Sequence, residues 1–206
     1  MANHSKLILA SQSPRRAALL RQMGFTFDVV PANVDENGVS SADPIAHVLE
    51  LSRRKAEAVL GCVREGLIIG ADTVVCIDGD ILGKPSDRAE ARLMLTRLSG
   101  KTHTVTTGFT LIEVSSLKSM SDFEQTDVTF RSLEPWEIGA YASSRHPFDK
   151  AGAYGIQDPS GLFVERIDGC FYNVVGFPLT KFYGALRQLW GREALQALLG
   201  GERAES

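Results

Sequence analysis

The chain has 206 residues, 44% of them hydrophobic, and sets 22 Lys and Arg against 25 Asp and Glu for a net charge of -3. That much apolar material fills a sizeable core and excludes a disordered or fibrous chain; the acidic balance disfavours a broad nucleic-acid-binding surface or a basic membrane-binding face, so any anionic ligand has to be met by local clusters. No apolar run approaches the roughly 20 residues that span a bilayer, and Leu7 to Ala10 is too short for a signal-peptide core, which makes the cytoplasm the expected location.

Short apolar runs alternate with longer amphipathic stretches, the pattern of one α/β domain over 1–206. Lys6 to Ala10 reads as a first strand. Ser13 can cap a helix that opens on Pro14 and stops at Gly24, and Thr26 to Pro31 reads as a second strand. Asp43-Pro44 starts a helix to about Leu60. The strand Leu67 to Ile77 is expected to be interrupted at Asp72-Thr73, then Asp78-Gly79 turns tightly into Ile81-Leu82. Ser86-Asp87 starts a helix over Arg88 to Leu98, which stops at Gly100. Thr102 to Ile112 and Ser121 to Phe130 form an antiparallel hairpin with its turn near Val114 to Lys118. A helix near Glu134 to Ala142 leads into the polar segment Ser143 to Lys150, followed by strands at Leu162 to Ile167 and Phe171 to Val175 around the turn Asp168-Gly169. Pro178 opens the closing helix, and Gly200 to Ser206 is expected to fray. Cys62, Cys76 and Cys170 are widely spaced and read as reduced core residues; the four histidines lack zinc-site spacing, so a metal would be oxygen-ligated.

Four segments break structural rules. In Ser11-Gln12-Ser13-Pro14-Arg15-Arg16, two cations occupy the first turn of a helix, where carboxylates are preferred. Either a bound anion reverses that cost, or both arginines are simply solvated. Asp72 stands inside an apolar run, where it must be hydrogen-bonded, bind a cation or open onto a cleft. Lys84, between Gly83 and Pro85, does not belong to a P-loop and on its own reads as a solvated turn lysine. Asp149 to Gln157 mixes small residues with Asp149, Lys150, Tyr154 and Gln157, which suits either a close ligand approach or a glycine-bulged strand with a local ion pair. Glu36 and Lys55 are individually uninformative.

Taken together, Ser11 to Arg16 after a strand, Val34-Asp35-Glu36, Lys55, Gly70 to Val75, Gly83 to Pro85, Asp149 to Gln157 and Tyr172 to Gly176 resemble the Maf family of nucleoside triphosphate pyrophosphatases, in order and over nearly the whole chain. The resemblance implies a two-lobed α/β fold with a long twisted mixed sheet, flanking helices and a central cleft, similar to inosine triphosphate pyrophosphatases. It implies hydrolysis of a nucleoside triphosphate between the α and β phosphates with Mg²⁺ or Mn²⁺; with the acidic charge balance, no nucleic acid polymer or membrane is expected as a partner. Asp72 matches the family's proton acceptor and, with Glu36, a metal-binding position. Ser11, Ser13, Arg15, Arg16, Lys55, Thr73, Lys84, Asp149, Lys150 and Gln157 become the expected substrate contacts.

The segment Asp149 to Gln157 looks like the branch that cleaves dTTP and UTP, and Arg15, Thr73 and Gln157 match positions that separate the branches. Gln157 offers both a donor and an acceptor to a pyrimidine edge. Asp158-Pro159-Ser160-Gly161 departs from the branch's more glycine-rich stretch, which stiffens the loop beside the base. The rivals are the same reaction on another base, such as 7-methyl-GTP, and a nucleotide-binding regulator of division or septum formation. A homodimer is compatible with the apolar hairpin and closing helix.

Overall fold

The computed structural model describes residues 6–36 and 41–200. Among these residues seven strands form one mixed sheet: β1 (Leu7–Ala10), β2 (Phe27–Val29), β3 (Leu67–Ile77), β4 (Asp80–Leu82), β5 (Thr102–Glu113), β6 (Ser119–Phe130) and β7 (Val164–Asp168). Their order is β2-β1-β3-β5-β6-β7, with β4 paired to β3 off that path. β1 runs parallel to β2 and β3, and the remaining pairs are antiparallel. The helices are α1 (Pro14–Gln22), α2 (Pro44–Leu60), α3 (Arg88–Leu98), α4 (Pro135–Ala142), α5 (Phe171–Val175) and α6 (Leu179–Gly200).

The register creates a gap at the centre of the sheet. β1 pairs with β3 as far as Ala10 opposite Gly70, and β4 takes up the same side of β3 only from Val75 onward. Residues 71–74 therefore have no strand on that side, while their other side stays paired with β5. The hydrophobic clusters divide at the same place. Leu67, Ile69 and Ala71 belong to one cluster with Phe109, Leu111, α1 and α6, whereas Val75 and Ile77 join another with Val105, Phe130, α3 and α4. Alternate residues Ile8, Ala10, Ile68 and Ile112 face α2 on the opposite side, so the inner strands are apolar on both faces.

α2 lies close on the sheet because two glycines let it. A methyl group on Gly70 would sit 2.1 Å from the Ser52 carbonyl oxygen, and one on Gly108 would sit 2.8 Å from a Val48 methyl carbon. The buried face of α2 is Val48, Leu51, Ser52, Lys55, Ala56 and Val59, and the Ser52 and Thr110 hydroxyls bond at 2.8 Å. This approach brings Lys55 over the gap.

Several local expectations need correction. β3 is not interrupted at Asp72-Thr73: its ladder to β5 runs through Asp72 opposite Gly108 and Thr73 opposite Thr107, and the carboxylate is stabilised by Lys55 rather than by leaving the strand. Phe171 to Val175 is a helix, despite its strand-forming residues, because the buried Asn173 amide donates to the Val105 carbonyl at 3.0 Å and the Thr126 hydroxyl at 2.9 Å, and Gly176 ends the turn at φ 116°. β7 begins at Val164, since Pro159–Phe163 forms a 3-10 turn, and β2 is confined to Phe27–Val29. The cysteines carry no disulfide and are not core residues: Cys62 is exposed in the turn after α2, and Cys76 and Cys170 are half-buried. Gly200 closes α6, and 201–206 lie outside the described residues.

One buried group gives the fold a pH signature. His103 on β5 bonds Tyr154 Oη through Nε2 at 2.8 Å and packs edge-on against Phe130 and Tyr154. Burial pushes its imidazole down from 6.5 to about 4. Between those values the unfolded chain binds a proton that the folded protein refuses, so stability is full above pH 6.5 and falls with pH until about 4. We expect a loss of about 3 kcal/mol across that window in denaturant titrations. His103→Phe should remove this slope, and an unchanged slope in the variant would assign it to other groups.

Candidate active site

The gap in the sheet is the floor of a cleft of about 600 Å³. Ser11, Ser13, Arg15, Arg16, Glu36, Lys55, Asp72, Thr73, Lys84, Asp149, Lys150 and Gln157 all line it. They arrive from separate elements: the turn from β1 into α1, the loop after β2, the middle of α2, the open stretch of β3, the loop after β4, and the turns between α4 and β7.

α1 begins at this cleft, with Pro14, which has no N–H, at its first position. Ser13 occupies the N-cap position with extended backbone, but its side chain makes no cap hydrogen bond, so the capping expected from the sequence does not occur. Its own N–H is instead drawn to Ser11 Oγ at 3.2 Å.

The two arginines then do different things. Arg16 is buried, with 7% exposure, and donates from Nε to the Gly176 carbonyl at 2.8 Å, from Nη1 to Ser11 Oγ at 3.2 Å and from Nη2 to Thr73 Oγ1 at 2.9 Å. All three acceptors are neutral, and no carboxylate among the described residues forms an ion pair with it. Burial lowers its affinity for the proton, opposed by the negative charge of Asp72. Arg15 is more open and pairs with Asp149 through Nη1 to Oδ2 at 2.5 Å and Nη2 to the carbonyl at 3.1 Å.

Across the cleft, Lys55 Nζ sits 2.6 Å from Asp72 Oδ1 and 2.7 Å from Glu36 Oε1, while Lys84 Nζ reaches Glu36 Oε2 at 3.0 Å. Partial burial raises the cost of charge on Glu36, but the two ammonium groups outweigh it and hold the carboxyl at about 2. Two carboxylates thus converge on one cationic point. Among the described residues no group of three or more His, Cys, Asp and Glu could hold a metal by itself. A pair of carboxylates completed by phosphate oxygens and water is nonetheless a donor set that suits Mg²⁺ or Mn²⁺, so Glu36 and Asp72 are the residues fit to hold one.

The far wall is a polar network. Lys150 Nζ contacts Asp149 Oδ1 at 2.6 Å and Asp158 Oδ2 at 3.2 Å, and Tyr141 Oη donates to Asp158 at 3.1 Å. Burial disfavours the charge on Asp149, but Lys150 and Arg15 together keep its carboxyl below the ordinary range. Gly155 makes this packing possible, since a methyl group there would lie 2.7 Å from Lys150 Cε. Gln157 stands at the end of this wall. Sequence reading missed Tyr141, Asp158 and Ser160 as parts of the wall; only the unusual Asp158-Pro159-Ser160-Gly161 stretch pointed toward them.

Chemically, the site offers fixed cations and a helix start without a side-chain cap facing a carboxylate pair, which describes an α/β protein with a cleft suited to a polyanion that also holds a candidate base. The family model described as Maf-like protein matches residues 6–189, and the chain belongs to that family. It is 50% identical over 186 residues to the dTTP/UTP pyrophosphatase of Carboxydothermus hydrogenoformans, covering 90% of this chain and 99% of that one. It is 47% identical over 188 residues to the dTTP/UTP pyrophosphatase of Caldicellulosiruptor saccharolyticus, covering 89% and 94%. A solved dITP/XTP pyrophosphatase from Mycobacterium abscessus aligns with 96% of this chain and 100% of its own at 16% identity and a TM-score of 0.42, a likeness too loose to argue from. No helix among the described residues is long and apolar enough to cross a membrane.

Proposed function

We propose that the protein hydrolyses dTTP and UTP to the monophosphate and pyrophosphate, acting on free nucleotides in the cytoplasm. The observation that carries this reading is the buried, unpaired guanidinium of Arg16 beside Arg15 at the open start of α1, opposite Asp72 across one cleft. A buried cation bonded only to neutral acceptors is costly until an anion arrives. A triphosphate supplies that anion, and relatives at 50% and 47% identity are named for dTTP and UTP.

In this reading Arg15, Lys55 and Lys84 reach the phosphate oxygens from the positions their carboxylate partners give them and neutralise them, while Arg16 holds Ser11, Thr73 and Gly176 in place around the phosphates. Asp72 accepts the proton of the attacking water, and Lys55, 2.6 Å from Oδ1, holds its carboxylate in place at the cleft. A divalent cation held by Glu36 and Asp72 would supply positive charge to the phosphate oxygens and acidify a water molecule. Lys150 and Asp149 set the position of Arg15 from the opposite wall. Gln157 presents an amide donor and acceptor to the pyrimidine edge.

Pyrophosphate release across a panel of nucleoside triphosphates tests the reading. Turnover should be highest for dTTP and UTP and at least about tenfold lower for purine triphosphates, the discrimination that unpaired polar groups supply. Strong turnover of 7-methyl-GTP with none of dTTP or UTP would reject it.

A further inference from the structure

A second cavity of about 270 Å³ opens beside the cleft. Arg15, Lys150, Gly155 and Gln157 line both spaces, and His146 and Asp158 line only the second. The two are therefore joined through the wall of Arg15, Lys150, Gly155 and Gln157, whereas Lys55 and Lys84 line only the cleft; a nucleotide whose phosphates lie against Lys55 and Lys84 could pass its base toward this shared wall. Among the described residues the only aromatic one lining the cleft proper is Tyr154, which is 5% exposed and has its hydroxyl tied to His103, so it presents no open ring face to a base.

His146 is different. Its imidazole is half-buried, lines the second cavity, and lies nearly parallel to the Tyr141 ring, at 14° with centroids 6.1 Å apart. Its backbone is pinned at both ends: the N–H donates to Ser144 Oγ at 3.2 Å, and the carbonyl accepts from Lys150 Nζ. Pro147 follows and restricts the chain further. Tyr141 is itself fixed by Asp158 and Ser160. With its backbone pinned and its ring stacked on a fixed neighbour, His146 loses little freedom when something else stacks on it.

We infer that the His146 imidazole is the platform on which the pyrimidine ring of the substrate lies, with Gln157 reading the ring's edge; the inference rests on the dTTP/UTP reading above. Stacking engages the face of a base and ignores its substituents. Uracil and thymine, which differ by one methyl group, are accepted equally by such a surface, while an amide at the edge still distinguishes the pyrimidine-dione pattern from others.

The test compares His146→Ala and His146→Phe with the unaltered protein. Binding of α,β-imido-dTTP is followed by calorimetry, and KM and kcat for dTTP and UTP by pyrophosphate release. Inorganic tripolyphosphate, which has no base, serves as a competitive inhibitor. His146→Ala should weaken the nucleotide about tenfold and raise both KM values alike. It should leave the tripolyphosphate inhibition constant and kcat within about twofold, and His146→Phe should restore binding. Unchanged nucleotide binding in His146→Ala overturns the inference, as does tripolyphosphate inhibition weakening in step with it, because the effect then belongs to Arg15 and Lys150. A protein that binds α,β-imido-dTTP but releases no pyrophosphate from dTTP or UTP contradicts the hydrolytic reading while leaving the binding comparison decisive. Absence of α,β-imido-dTTP binding in the unaltered protein overturns both.

Discussion

Replacing Asp72 by Asn should lower kcat for dTTP and UTP about a thousandfold while leaving the fold and nucleotide affinity nearly intact. The substitution preserves volume, and the strand at this point is held by backbone pairing of Asp72 with Gly108, which an amide side chain does not disturb. Lys55 loses one ionic partner but keeps Glu36, so its ammonium stays compensated. What disappears is the group that accepts a proton. The informative comparison is between turnover and binding: KM should move by no more than a few-fold and thermal unfolding should barely shift. Turnover within tenfold of the original would remove Asp72 from the role of proton acceptor. A pure nucleotide sensor would release no pyrophosphate before or after the change.

The second large effect is structural. Gly70→Ala should destabilise the protein by about 3 kcal/mol, because the added methyl lies 2.1 Å from the Ser52 carbonyl and 2.8 Å from the Ala56 nitrogen, both backbone atoms of α2. Neither can rotate away as a side-chain tip could, so the helix has to shift. The reduced freedom of alanine in the unfolded chain offsets only about 0.4 to 1 kcal/mol of this. For a chain of this size the net loss of about 2 to 2.6 kcal/mol lowers the melting temperature by roughly 4 to 10 °C. The displaced helix also carries Lys55 away from Asp72, so kcat should fall in the fraction that remains folded. An unaltered melting temperature would show that α2 does not need the close approach.

Much of the architecture was legible because its punctuation is local. Pro14, Pro44 and Pro135 each open a helix, and Asp78-Gly79 turns with φ of 53° and 85° as a tight hairpin requires. α5 was not legible, because Phe171 to Val175 favours a strand by propensity and becomes helical only through the hydrogen bonds of Asn173 to residues 47 and 68 positions away. The continuity of β3 was hidden for the same reason: Asp72 argues for a break until Lys55, on a different element, is placed against it. The cleft residues stood out as departures from ordinary rules, Arg15 and Arg16 at a helix start above all. Their partners did not, since Asp149 lies 134 positions from Arg15. His146 carried no signal beyond preceding a proline.

β3, β5 and β6 run unbroken past the place where β1 has ended and β4 has not yet begun. The two apolar clusters on either side are consequently joined by continuous ladders of hydrogen bonds. The two clusters share a spring rather than a pivot: a change in their separation is carried as extra coiling along three long strands, so the resting width of the gap follows the twist of the sheet itself.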